Sequence, residues 1–447
     1  MRTACLLVIA AALSSCGPAH TDADPALAAY IDTLRAIDSH AHPLAYVPEG
    51  APADTDYDAL PLDGLPPFKL PAPLRASNPA YRDAQRSLYA LAESDTGSAL
   101  VAAVEQARRA LIRQHADRFP EWVLDQLHID VMLANRVAMG TGLTSPRFRW
   151  VAFADPLMLP LDTRGEAART PDTKSLYPLE ATLLHRYMRD LGMTILPPTL
   201  DQYRRDVITA TLARQRATGA VAIKFEAAYL RALDFDAADS TAAATIYARY
   251  ADSGVPTPAQ YKLLQDYLVR FISREAGRFG MAVQIHSLNG FGASYSAGGA
   301  APHMLESLLS DTSLKHTNFV IIHGGWPLVG ETLSQLAKPN VYTDISMMDQ
   351  LADHDDLTRA LRLWLGTRPD KVMFGTDAFD GGAQQRWDQV AWVASRNGRR
   401  ALIDALSGML RDKEITAERA KELARMVLRA NAVTAYRLDM KQGPTAP

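Results

Sequence analysis

The feature that most restricts this chain is an alternation: short apolar, β-branched runs recur between amphipathic helical stretches, and polar side chains close them. The runs are Ala36-Ile37-Asp38, Ala220 to Phe225, Met281 to Ile285, Phe319 to Ile322, Asn340 to Ile345 and Lys371 to Phe374. Strands separated by helices on this scale specify a parallel sheet with right-handed crossovers. A doubly wound sheet and a barrel both satisfy that pattern. The polar residues favour an α/β fold of the (β/α)₈ TIM type, because there the carboxyl ends of all strands converge on one mouth.

Those residues are His40 and His42 beyond the first run, Lys224 in Ala222-Ile223-Lys224, His286 in Gln284-Ile285-His286, His323 in Ile321-Ile322-His323-Gly324-Gly325, and Asp377 in Phe374-Gly375-Thr376-Asp377. Two histidines at i and i+2 on an extended chain point to the same side, which suits chelation of one ion. Taken singly, each is as well explained as a capped or solvated strand end. In this order, each at a strand end, they would require five independent accidents.

Between Pro43 and Pro79 the chain is crowded with Pro, Asp and Ala, including Pro66-Pro67 and Pro71-Ala72-Pro73, and cannot form a regular element. From Pro79 to Phe119, Leu88, Leu91, Leu100, Val104 and Leu111 recur at helical spacing. Together these make a long insertion after the first strand, about residues 43–120. A first helix is expected from Leu27 to Ala36. A closing helical segment should start at Ile415-Thr416-Ala417-Glu418 and continue through Leu423 to Leu428.

With 447 residues, 48% of them hydrophobic, the chain can bury a large core. Lys and Arg number 47 against 50 Asp and Glu, a formal charge of −3 without a basic block, which argues against a nucleic-acid surface. The N-terminus has a basic start, an apolar run from Ala4 to Leu13 and a small-residue exit, the pattern of a secretory signal. Leu13-Ser14-Ser15-Cys16 resembles the bacterial lipobox, which implies cleavage of residues 1–15, a lipid on Cys16, a tether over residues 16–27 and the barrel from residue 28 to about 440. Gly17 after the cysteine implies the outer membrane, facing the periplasm. Cys5 and Cys16 are the only cysteines, so the mature fold is expected to lack a disulfide.

Asp38-Ser39-His40-Ala41-His42, Ile285-His286-Ser287, Ile322-His323-Gly324-Gly325-Trp326-Pro327, Val341-Tyr342-Thr343-Asp344-Ile345-Ser346 and Phe374-Gly375-Thr376-Asp377 resemble the amidohydrolase superfamily, and within it amidohydrolase-related family 2. Lys224-Phe225-Glu226-Ala227-Ala228-Tyr229-Leu230-Arg231 and Ala424 to Ala432 look most like the branch fused to glutamine synthetase in nodulin-type proteins. The resemblance implies a divalent ion, zinc first and manganese or iron next, on His40, His42, His286 and Asp377, with Asp377 taking a proton from the attacking water. His323 is either a ligand of a second ion or an imidazole polarising the substrate carbonyl. Lys224 is either a carboxylated bridge between two ions or an ammonium for a substrate carboxylate. One ion is slightly favoured.

Tyr229 and Arg231 are candidates to bind a small, anionic substrate, against the equal alternative of a surface hydroxyl and a solvated guanidinium. Asp344 is a candidate to orient a neighbour. The Gly-rich run Asn289 to Ala293, with Ser296 to Gly299, reads as an active-site loop rather than a phosphate cradle. His115, His128, His185, His303, His316 and His354 receive no role. The expected activity is hydrolysis of an amide, peptide-like, ester or lactone bond. The alternatives are non-oxidative decarboxylation on the same scaffold and a lipoprotein that binds metal or ligand without turnover. Self-association into a homo-oligomer is left open.

Overall fold

The computed structural model describes residues 23–60, 71–75, 77–91, 97–287, 290, 292–381 and 385–440. The signal, Cys16 and Asn289 therefore lie outside the described residues. The described chain is a barrel of eight parallel strands in sequence order: β1 (Ala36–Ala41), β2 (Ile129–Arg136), β3 (Phe148–Phe153), β4 (Ala220–Phe225), β5 (Ala282–His286), β6 (Phe319–Ile322), β7 (Val341–Asp344) and β8 (Val372–Met373). β8 is short, and the barrel closes just past it. Ser39 N donates to Phe374 O at 3.0 Å, Asp377 N to His40 O at 2.8 Å and His42 N to Ala378 O at 2.7 Å.

Alternation along the strands separates two apolar layers. Ile37, Leu133, Val151, Ala222, Ala282, Val320, Tyr342 and Met373 cluster with Ala432, Ala435, Tyr436 and Leu438, so the C-terminal segment plugs the lower end of the barrel. Met132, Ile223, Val283 and Ile321 instead join the large cluster shared with the surrounding helices. Tyr436 reaches the lumen, where its hydroxyl accepts from Gln284 Nε2 at 2.8 Å and Gln284 also donates to Ser39 O at 2.9 Å.

Six strands lie where the apolar runs place them, shifted by a residue or two. β2 and β3 are additional. Their sequences, Ile-Asp-Val-Met-Leu-Ala-Asn-Arg and Phe-Arg-Trp-Val-Ala-Phe, carry charged residues at Asp130, Arg136 and Arg149 that break the apolar signature. The insertion after β1 holds α2 (Pro79–Tyr89), α3 (Gly97–His115) and α4 (Phe119–Gln126); the first helix, α1, spans Pro25–Thr33. The closing helix opens at Thr416, whose side chain accepts from Arg419 N. Among the described residues no helix is long and apolar enough to cross a membrane.

Candidate metal centre

The strand ends gather His40, His42, Lys224, His286, His323 and Asp377 at the mouth, all of them buried. On the seam where β1 meets the chain beyond β8, His40 Nε2 stands 3.0 Å and His42 Nε2 3.6 Å from Asp377 Oδ1. Two donors each about 2.1 Å from a tetrahedral ion lie about 3.4 Å apart, so these three atoms have the spacing of ligands around one centre. On the wall formed by β4 to β6, His286 Nδ1 and His323 Nε2 face each other at 3.2 Å, and their ring centroids are 4.7 Å apart. Lys224 Nζ stands 3.4 Å from His40 Nε2 and 3.9 Å from Glu226 Oε1. His286, expected with the seam donors, faces His323, whose ring centroid is in turn 5.1 Å from that of His40.

Two of these candidate positions carry backbone strain. His323 (φ 67°) and Asp377 (φ 47°) adopt the left-handed region, at a cost of about 1–3 kcal/mol each. Neighbouring hydrogen bonds hold them. His323 N donates to Asp344 Oδ1 at 2.9 Å, and Gln350 Nε2 donates to Asp377 O at 3.1 Å. Asp344 also accepts from Ser346 Oγ at 2.7 Å and Ser39 Oγ at 3.1 Å, and it ties β1, β6 and β7 together at the strand ends. Asp38 does the same for β8, accepting from Thr376 N at 2.9 Å and Thr376 Oγ1 at 2.5 Å.

Burial pushes all four imidazoles, His40, His42, His286 and His323, well below the ordinary histidine value, reinforced by the positive charge of Lys224. They are therefore neutral at neutral pH, the state that ligates metal. The tautomers follow from their neighbours. Ser346 Oγ, spending its proton on Asp344, accepts from His323 Nδ1 at 3.0 Å, which leaves the Nε2 lone pair free. His42 Nδ1 makes no hydrogen bond but has the Asp58 carboxylate 3.4 Å away, and its Nε2 faces Asp377. The Asn135 side chain meets His40 Nδ1, and its carboxamide oxygen, otherwise buried without a partner, satisfies Nδ1–H once the amide is turned over. His286 Nε2 is buried with no hydrogen-bond partner. Neutral imidazoles, convergent lone pairs and one carboxylate are a donor set that fits a divalent ion.

The family model for amidohydrolases matches residues 185–438, more than half of the chain. The chain belongs to the amidohydrolase family. Lys224, His286, His323 and Asp377 fall inside the matched part of this amidohydrolase, while His40 and His42 precede it. No curated protein matches the chain. Among solved structures, a candidate metal-dependent hydrolase from Lactobacillus casei ATCC 334 is 16% identical with a TM-score of 0.56, covering 92% of this chain and 97% of its own. Glucuronate isomerase from Caulobacter crescentus is 14% identical with a TM-score of 0.59, covering 94% and 95%. Uronate isomerase from Thermotoga maritima is 12% identical with a TM-score of 0.54, covering 92% and 96%. At these identities the likeness is one of fold.

The two remaining sequence candidates part company. Tyr229 is buried with its ring against His286, centroids 4.7 Å apart, so it is no surface hydroxyl. Arg231 pairs with Asp266 at 2.7 Å and Asp234 at 3.2 Å and bonds Gln265, so its guanidinium is committed to protein carboxylates. Four acidic residues escaped the sequence reading: Asp58, Asp155, Glu180 and Glu226 crowd behind His42 and Lys224. Burial raises Asp58 to about 6 and Asp155 to about 7, and it lifts Glu180 and Glu226 well above the carboxylate range. Glu226 was within reach, being two residues beyond Lys224 on the same strand end. Asp58 was not, because it sits in an irregular stretch.

Proposed function

We propose that this amidohydrolase is a metal-dependent hydrolase that cleaves an amide, peptide-like, ester or lactone bond in a small molecule. The observation that carries the reading is the seam: two neutral imidazoles aim Nε2 at one oxygen of Asp377, at 3.0 and 3.6 Å. A divalent ion, when bound, supplies Lewis acidity and brings the pKa of a water towards neutrality. Asp377 then has the protein's tasks of accepting a proton on its carboxylate and returning it to the leaving group, with Oδ2 4.0 Å from His323 Nδ1. Lys224, buried 3.4 Å from His40 Nε2, suits an anionic group on the substrate as long as its amine is not carboxylated. Tyr229 supplies a wall beside His286.

The pairing of His286 with His323 favours two ions over the single one that the motifs suggested, with zinc the best match to a histidine-rich set. The test is the metal content per chain of protein expressed with and without bicarbonate, followed by amide, peptide, ester and lactone panels. About two ions and turnover on those panels are expected, and a bicarbonate-dependent second ion identifies Lys224 as a carboxylated bridge. A protein that binds no ion, or that only releases CO₂ from carboxylic acids, overturns the reading. We further propose, from the lipobox-like start, that the enzyme is exported and tethered through Cys16, and from the resemblance of Lys224 to Arg231 that it lies near the nodulin-type branch. A Cys16→Ser protein found in the soluble fraction supports the tether, and one that stays with membranes removes it.

A further inference from the structure

We propose that a cleft beside the seam is a subsite for an uncharged aromatic or bulky apolar arm of the substrate. This deepens the hydrolase reading and rests on it. The cleft has a volume of about 420 Å³, within the range of small-molecule sites, and is walled among the described residues by Leu44, Tyr46, Tyr57, Ile112, Phe119 and Trp387. Three of its walls continue the segments that carry the reacting groups. Leu44 follows His42 by two residues, Tyr57 precedes Asp58, and Asp380, also in the lining, follows Asp377 by three. The opposite wall is α3 and the start of α4, so the insertion after β1 supplies what a bare barrel lacks.

The cleft is built rather than incidental. Arg136, fully buried at the end of β2, donates to Pro43 O at 2.6 Å and pairs with Asp54 at 2.9 Å, while Asp54 accepts from Ala45 N at 2.8 Å. That clamp fixes the loop that presents both Asp58 to His42 and the aromatic rings to the cleft. The charged side chains lining the cleft each face an opposite charge: Asp54 with Arg136, Arg108 with Asp388 at 3.2 Å, and Arg386 with Asp380 at 3.3 Å. Among the described lining residues, Arg108 and Arg386 each already face a carboxylate, and the aromatic faces favour apolar contact. An anionic group, if the substrate has one, belongs at Lys224 when its amine is not carboxylated.

The test compares N-benzylacetamide with N-methylacetamide on the full, metal-loaded protein, by calorimetry and saturation-transfer NMR. The benzyl compound should bind about tenfold or more tightly, the return expected for burying one aromatic ring. Ala53→Trp, at the rim, and Ile112→Asp, inside, should each erase that preference while melting point and metal content stay at wild-type values. Equal binding of the two compounds, no binding of either, or a preference that survives Ala53→Trp in a folded, metal-loaded protein overturns the subsite. A protein that takes up no divalent ion when metal is supplied but still prefers the benzyl compound breaks the hydrolase reading and leaves the subsite standing.

Discussion

The seam and the wall of the mouth are built from the same residue types but are held differently. At the seam, β1 and the chain beyond β8 are locked by backbone hydrogen bonds at Ser39, Asp377 and His42, so three donor atoms are fixed by the closure of the barrel itself. On the wall, His286 and His323 stand on separate strands and are held through side chains, His323 by Ser346 and Asp344. The seam should therefore keep its donor geometry under mutation elsewhere, whereas the wall should depend on its supporting hydroxyl and carboxylate.

The largest expected effect is at the seam. His40→Ala and Asp377→Asn should each lower turnover by about a thousandfold or more and remove the seam ion, with an unchanged melting profile in the absence of metal. Residual activity within tenfold of wild type in either variant breaks the assignment of the seam as the reacting centre. A smaller effect is expected on the wall: His323→Asn should lose one of two ions and keep the seam ion, with activity down about a hundredfold. If His323→Asn empties both positions, the two regions are one cooperative centre and the comparison fails.

Next in size is Asp58. Because its carboxylate faces His42 Nδ1, Asp58→Ala should weaken metal binding by roughly 10–100-fold in a chelator competition, and Asp58→Asn, which keeps an acceptor oxygen, should recover part of it. Identical affinities in both variants and wild type would leave Asp58 as a filler of the loop.

The uneven legibility of the site has the same physical origin. His40, His42, Lys224, His286, His323 and Asp377 could be read because each ends an apolar strand, and the period-two geometry of a strand says where its last side chains point. β2 was hidden because Asn135 and Arg136 turn polar for reasons the strand alone does not show, one meeting His40 and the other clamping the loop after β1, and β3 because Arg149 interrupts its apolar run. Asp58 and Glu180 were hidden because their positions follow from tertiary packing. Asp58 comes from an irregular loop with no periodicity to aim a side chain. Glu180 lies on the buried face of the helix Leu176–Asp190, between Tyr177 and Leu183, where helical spacing alone calls for an apolar residue. Arg231, read equally as a substrate ligand or a plain guanidinium, pairs with the nearby Asp266 and Asp234 carboxylates, which its own sequence neighbourhood does not show.

The smallest effect separates the seam from the acidic layer behind it. Burial raises Asp155 to about 7, so the native protein holds a proton that the unfolded chain releases near pH 4. A group raised in this way contributes most below its unfolded value, and that contribution is lost as pH climbs through about 7. Asp155→Asn keeps the oxygen that accepts from Glu226 N at 2.8 Å but carries no such proton. In metal-free protein, the stability of the variant relative to wild type should thus rise between pH 5 and pH 8, by on the order of 1 kcal/mol because Glu226 and Glu180 share the same protons. Urea melts at the two pH values measure it. A flat difference would mean that Asp155 is ionised in the fold at both, with its charge balanced by Lys224, and the acidic layer would then belong electrostatically to the metal centre rather than standing apart from it.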